Sequence, residues 1–295
     1  MSLRLSTVIL PYLRWHEGGR ATWQRAEQLG FHTAFTYDHL SWRTFRDGPW
    51  FGAVPTLTAA AAVTDRLRLG TLVTSPNFRH PVTLAKDAMT LDHVSNGRFT
   101  LGVGAGGSGF DASVLGPFSG PRQPRFAEFV EVLDGLLSNP AYSHQGSFYT
   151  VDDARMLPGC VQRPRLPIAV AAAGPKALAV VAKYADAWIT YGEPDSSDLS
   201  PAQIERAVRN QSERLAEACA TIGRDPASLR RIYLIGNTEE RPLRSVAAFT
   251  DFAGRYAALG FTDLVFHDPR PDDPDWNDDP AIVAELPGAV RSGTT

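Results

Sequence analysis

Cysteine is scarce in this 295-residue chain: Cys160 and Cys219 stand alone, far apart, with no metal-ligand spacing around either. That excludes a disulfide framework and a cysteine-based zinc site, and a reduced, cytoplasmic setting is expected. Long apolar runs are missing as well. No segment approaches the roughly 18 apolar residues of a membrane span, and the opening MSLRLSTVILPYLRW holds too short an apolar stretch for a signal peptide. No basic run occurs either. The 29 Lys and Arg are dispersed among 32 Asp and Glu, for a net charge of −3, which argues against a nucleic-acid surface. With neither a G-x-S-x-G elbow nor H-E-x-x-H, serine-hydrolase and zinc-hydrolase chemistry lacks support, and no metal is expected.

What the chain does have is enough apolar residue (43%) for a buried core, and alternating strand and helix signals throughout. Strands are predicted at Leu3–Leu10, Thr33–Tyr37, Leu67–Val73, Phe99–Val103, Ile168–Ala172, Ala187–Thr190, Leu229–Ile235 and Asp263–Phe266. Helices are predicted at Thr22–Leu29, Pro55–Val63, from Pro81 to Asn96-Gly97, and at Arg125–Leu137, Pro175–Tyr184, Pro201–Thr221 and Leu243–Leu259. Gly30 and Gly97 stop two of them, and prolines open others. Eight strands in regular alternation, without an interdomain linker, point to one (β/α)₈ barrel domain over 1–295. The functional site then belongs on the face where strands run into helices, after Leu10, Tyr37, Thr74, Val103, Ala172, Thr190, Ile235 and Phe266.

Four clusters stand at those strand ends. Gly104-Ala105-Gly106-Gly107-Ser108-Gly109 matches G-x-G-x-x-G formally, but Gly116, Pro117 and Gly120 prevent the helix a dinucleotide fingerprint requires. It reads as a loop whose glycines admit a flat or anionic ligand, or as a plain barrel loop. Asp38-His39 suits proton transfer near neutral pH, with the carboxylate orienting the imidazole; a loop or cap role is the alternative. Trp42, Phe45, Trp50 and Phe51 line a pocket or simply close the barrel mouth. Ala172-Ala173-Gly174-Pro175-Lys176 places a helix N-terminus and one cation where a phosphate would be stabilised, although such connections are common without a ligand. The acidic, proline-rich stretch from His267 to Asp279 reads as a solvated loop and not a metal site.

Several blocks together carry a resemblance. Phe31 to His39, Arg66 to Thr71, Arg79-His80-Pro81, Leu84-Ala85-Lys86, Thr90-Leu91-Asp92 and Gly97 to Gly104 resemble the bacterial-luciferase-like flavin and deazaflavin oxidoreductases. Ala173-Gly174-Pro175, Tyr184 to Trp188 and Gly260 to Asp263 extend the likeness over nearly the whole chain. The resemblance implies a (β/α)₈ barrel with coenzyme F420, or alternatively FMN, at its C-terminal mouth, and a non-proline cis peptide joining Leu72 and Val73 behind the redox ring. It implies cofactor contacts at Leu72, Val73, Gly104, Ala105, Gly106, Ala173, Gly174, Pro175, Lys176 and Tyr191. His39 would be the catalytic histidine with Asp38 orienting it. Trp42 would line the substrate side; by side-chain type alone, Phe45, Trp50, Phe51, Asn77 and Phe110 would complete the walls, suggesting a moderately apolar, ring-containing molecule. The family's sugar-phosphate dehydrogenases have a glutamate where Gly107 stands and a lysine where this chain has Tyr191-Gly192-Glu193-Pro194. Hydride transfer between coenzyme F420 and a small organic substrate is the expected activity. An FMN monooxygenase served by a flavin reductase and a non-catalytic flavin-binding paralogue are the alternatives. A homodimer packed through barrel helices is also expected.

Overall fold

The structure, a computed structural model, describes residues 3–42, 45–107, 114–116, 120–193, 198–236, 238–270 and 272–292. Eight parallel strands close into a barrel: β1 (Arg4–Val8), β2 (Thr33–Thr36), β3 (Arg68–Thr71), β4 (Phe99–Val103), β7 (Ile168–Ala171), β8 (Ala187–Thr190), β9 (Arg230–Leu234) and β10 (Asp263–His267). Each pairs with its chain neighbour, and β10 returns to β1 in register, Arg4 opposite Asp263 and Val8 opposite His267. Parallel neighbours require crossovers, supplied by α1 (Gly19–Leu29), α2 (Ala53–Ala61), α3 (Pro81–Val94), α4 (Arg122–Ser138), α5 (Pro175–Tyr184), α6 (Pro201–Thr221) and α7 (Val246–Ala258). A last helix, α8 (Pro280–Ser292), packs against α7 and β1.

Two apolar layers follow from side-chain alternation along the strands. Inside the barrel sit Val8, Phe35, Ala169, Ala187, Ile189, Ile232 and Val265. Between barrel and helices lies the larger layer, with Leu57, Leu84, Leu133, Leu178, Val208 and Phe249 all buried. Burying a side chain of that size contributes roughly 1.5–3 kcal/mol. Among the described residues no helix is long and apolar enough to cross a membrane, and no group of His, Cys, Asp or Glu is placed to hold a metal ion. Both cysteines are buried, and burial raises both thiols.

Several boundaries depart from the sequence reading. A hairpin, β5 (Ala141–Gln145) with β6 (Thr150–Arg155), stands between α4 and β7. Most of its residues are polar and it packs only one side, so it lacks the alternation that marks a half-buried strand. The predicted helix Leu243–Leu259 is split. Pro242–Arg244 form a short 3₁₀ turn, and Ser245 then caps α7 by accepting the Ala248 N–H at 3.1 Å. The expected solvated loop after β10 holds only in part: Asp272, Pro274, Asn277 and Asp279 are exposed, but its start is not. His267, Pro269 and Arg270 are buried in it, because one guanidinium gathers the segment around itself.

Candidate active site at the barrel mouth

The C-terminal ends of β2, β3, β4 and β7 are consecutive in the barrel, so their loops form one arc of the mouth. The β3 end bulges at Leu72 and Val73, whose connecting peptide is cis, as the resemblance implies. Leu72 is buried and Val73 half-buried. A Cβ on Gly104 would lie 2.6 Å from Val73 Cγ2, and one on Gly106 2.4 Å from Asn77 Nδ2. Both glycines therefore make room for the protein's own side chains, and Gly106 also takes a positive φ of 72°. Ala105 is half-buried beside them, and Ala173 half-buried above β7. Gly174, Pro175 and Lys176 are exposed at the start of α5, and Tyr191 is exposed after β8.

Asn77 is held at both ends of its amide. Its Nδ2 donates to the Gly107 carbonyl and its Oδ1 accepts from Arg125 Nη2, each at 2.8 Å. It ties the glycine loop to α4, a structural duty beyond the pocket wall expected of it. Phe110 lies outside the described residues.

Asp38 is 1% exposed and follows β2. Arg79 grips it through two hydrogen bonds, Nε to Oδ2 at 3.0 Å and Nη2 to Oδ1 at 2.7 Å, while Thr74 Oγ1 donates to Oδ2 at 2.5 Å. A bidentate pair of this kind is strong and directional. Burial alone would lower the Arg79 guanidinium, but the hydrogen bonds and charge of Asp38 outweigh it and hold Arg79 above its ordinary value. Asp38 thus fastens the β2 end to the loop after β3, a different task from orienting His39 alone.

His39 stacks on Trp42, with ring centroids 4.6 Å apart and planes 29° from parallel. Trp50 Nε1 donates to the His39 carbonyl at 2.8 Å. Phe45 packs on Tyr12 at 4.8 Å and on Trp50 at 5.9 Å. The predicted aromatic group is therefore one half-buried wall beside the imidazole, while Phe51 stays exposed at its rim. An imidazole against an indole face, on a strand end, can hold or pass a proton beside an apolar space.

The luciferase-like monooxygenase family model matches residues 17–278. The chain belongs to that family. Among this family member's relatives is the F420-dependent glucose-6-phosphate dehydrogenase of Beutenbergia cavernae, 32% identical over 84% of the chain and 86% of the relative. The 4-hydroxyprotoasukamycin monooxygenase of Streptomyces nodosus subsp. asukaensis is 33% identical over 68% of the chain and 54% of the relative. The fold also matches an F420-dependent secondary alcohol dehydrogenase solved with an F420-acetone adduct. The TM-score is 0.81, at 19% identity, over 99% of this chain and 100% of that one.

The luciferase-like barrel also brings residues to its mouth that sequence reading did not single out. Tyr37 Oη lies 2.9 Å from His267 Nε2, and the Tyr37 ring sits edge-on to Trp42 and to His39, at 5.3 and 6.1 Å. His267 stacks on Trp276 at 3.9 Å. Arg270 pairs with both the Asp273 carboxylate and the Trp276 carbonyl. Asp268 is pushed up to about 6 by burial, which Arg25 and Arg270 offset only in part. One signal was available: counting by twos from Val265, a core residue of the last strand, turns His267 into the barrel.

Proposed function

We propose that this chain is an F420-dependent oxidoreductase moving a hydride between the coenzyme and a small organic substrate at the C-terminal mouth. The observation that carries the reading is the adjacency of two unlike strand ends. His39 stacked on Trp42 follows β2, and the Leu72–Val73 bulge packed over Gly104 follows its neighbour β3. The F420-dependent relatives support the choice of coenzyme.

The residues fit a flat redox ring with an anionic tail. Val73, half-buried over Gly104, offers an apolar back wall. The first turn of α5, at exposed Gly174, Pro175 and Lys176, offers N–H groups and one cation. Leu72, Ala105, Gly106, Ala173 and Tyr191 complete that arc. The bound coenzyme supplies hydride chemistry that no side chain can. His39 then holds or releases a proton at its ring nitrogens, Trp42 fixes the imidazole plane, and Trp42, Phe45 and Trp50 keep water from the substrate side. Gly107 carries no acid, and this aromatic wall suits an apolar ring better than a sugar phosphate.

Anaerobic titration with F420 and with FMN, followed by absorbance and fluorescence, tests the reading. Micromolar or tighter F420 binding is expected, with turnover lowered about 10²–10⁴-fold in His39→Ala. Tight FMN binding without F420 binding would overturn it in favour of a flavin monooxygenase, the reading suggested by the Streptomyces nodosus relative. Wild type and His39→Ala equally inactive on alcohols, enones and imines would instead indicate a non-catalytic paralogue.

A further inference from the structure

We propose that Tyr37 is a second proton-handling residue of this site, its hydroxyl aimed by His267 and Arg270 to serve a substrate oxygen in alcohol–carbonyl interconversion. The inference rests on the reading of the mouth as the active site.

Alternation along the strands places both groups in the lumen. Tyr37 lies two residues beyond the inward Phe35 of β2, and His267 two beyond the inward Val265 of β10. The two strands flank β1, so the side chains meet across it, with both residues under 10% exposed. Arg270 Nη1 lies 3.4 Å from His267 Nδ1, and His267 Nε2 lies 2.9 Å from Tyr37 Oη. A guanidinium can only donate. Nδ1 is then the acceptor, and the imidazole proton sits on Nε2 and points at Tyr37 Oη. With an oxygen lone pair used in that way, the phenolic hydrogen is directed to a different acceptor.

The relay is held rigidly. Arg270 Nε and Nη2 both bind Asp273 Oδ2, at 3.0 and 2.8 Å, and its backbone N–H donates to the Trp276 carbonyl at 2.7 Å. His267 lies between this clamp and the face of Trp276. Tyr37 in turn stands edge-on to His39 and Trp42, so its ring belongs to the wall that carries the imidazole while its hydroxyl reaches His267.

Such a donor has a balanced use. When a carbonyl is reduced, hydride adds to carbon and the C=O π bond opens. The oxygen takes one proton from Tyr37, leaving a phenolate that accepts the His267 Nε2–H and is neutralised from solvent. In alcohol oxidation Tyr37 first releases its proton to solvent, and the phenolate, held by the His267 Nε2–H, takes the hydroxyl proton as hydride leaves carbon and the C=O π bond forms. His267 and Arg270 act through Tyr37 and are positioning residues.

Two measurements test this. In ¹⁵N-histidine spectra of the cofactor-free protein at pH 7, with His267→Asn for assignment, His267 is expected as the neutral Nε2–H tautomer. A Nδ1–H tautomer or a doubly protonated ring would overturn the relay. In F420-coupled oxidation of isopropanol, cyclohexanol and 1-phenylethanol, Tyr37→Phe should lose at least about 100-fold in kcat. It should keep F420 affinity within twofold and lose the wild-type pH dependence of kcat. Turnover by Tyr37→Phe within threefold of wild type, with His39→Ala inactive, would overturn the role of Tyr37 alone. Wild-type inactivity on all three alcohols despite F420 binding would overturn the substrate class. Absence of F420 binding would overturn the underlying site reading as well.

Discussion

The last barrel strand starts on a buried aspartate, Asp263, and stops one residue short of a half-buried one, Asp268, and the two occupy opposite electrostatic surroundings. Burial pushes both carboxyls up. At the lower end, Arg230, Thr262 and Arg4 more than reverse that push and hold Asp263 below its ordinary range. At the mouth, Arg25 and Arg270 do not, and Asp268 is left at about 6. The lower rim repeats the first pattern. Glu27 accepts the N–H groups of Asp65, Arg66 and Leu67; Asp92 accepts those of Val161 and Gln162; Asp186 accepts that of Ile168 and pairs with Arg165. The lower rim saturates its charges and serves stability, while the mouth, beside the paired Asp38, keeps aromatics, glycines and a costly carboxyl, which is where barrel enzymes place their chemistry.

Three substitutions probe this contrast. Asp263→Asn should have the largest effect. It leaves Arg4 and Arg230 facing a neutral group and should lower unfolding free energy by about 3–5 kcal/mol. Guanidinium melts would show this, with F420 affinity of the folded protein unchanged. Because the folded carboxyl is depressed, its contribution is present above the unfolded pKa and fades as pH falls through the folded value. An Asn variant as stable as wild type at pH 7 would break the contrast at its lower end.

Asp268→Asn should act with the opposite sign. A carboxyl raised to about 6 binds its proton more tightly folded than unfolded. Wild type should therefore lose stability relative to the variant as pH rises from about 4 to about 6, leaving the variant roughly 3 kcal/mol more stable at pH 7. The difference between the two proteins' melting curves across that window is the measurement, and a flat difference would remove the mouth's electrostatic strain from the comparison. The smallest effect is expected of Gly104→Ala. Its Cβ displaces the end of one side chain, Val73, so the fold should hold while F420 binding weakens about tenfold, close to 1.4 kcal/mol. Unchanged affinity would detach the β3 bulge from cofactor binding.

The same division explains what could be read from the sequence. The barrel was legible because each strand and helix carries its own apolar period and stop signal. The family resemblance was legible largely because of lower-rim residues. Asp92, Asp186 and Asp263 each sit in a motif that carries it, and each is fixed in this barrel by backbone groups or arginines. His39 and the Leu72–Val73 bulge were legible through the same resemblance. The partners at the mouth were not. Arg79 reaches Asp38 from 41 residues away and Arg125 reaches Asn77 from 48, and no local pattern encodes such pairings. The stretch after β10 misled by composition. Its aspartates and prolines suggest solvent, yet a single arginine draws His267, Asp273 and Trp276 into one packed unit. The β5–β6 hairpin escaped notice because its polar strands carry little period to read.

The pairing of β1 with β10 also sets an order of events. Arg4–Val8 leave the ribosome before the other barrel strands but find one of their two barrel neighbours 259 residues later in the chain. Until Asp263–His267 emerge, the growing sheet has two open edges, each a row of unpaired amides able to recruit another strand. Closure of the cylinder is thus among the longest-range steps the chain has to make, and contacts so distant in sequence form slowly. The Arg4–Asp263 ion pair lies across that seam, so it helps hold shut the junction on which the rest of the barrel depends.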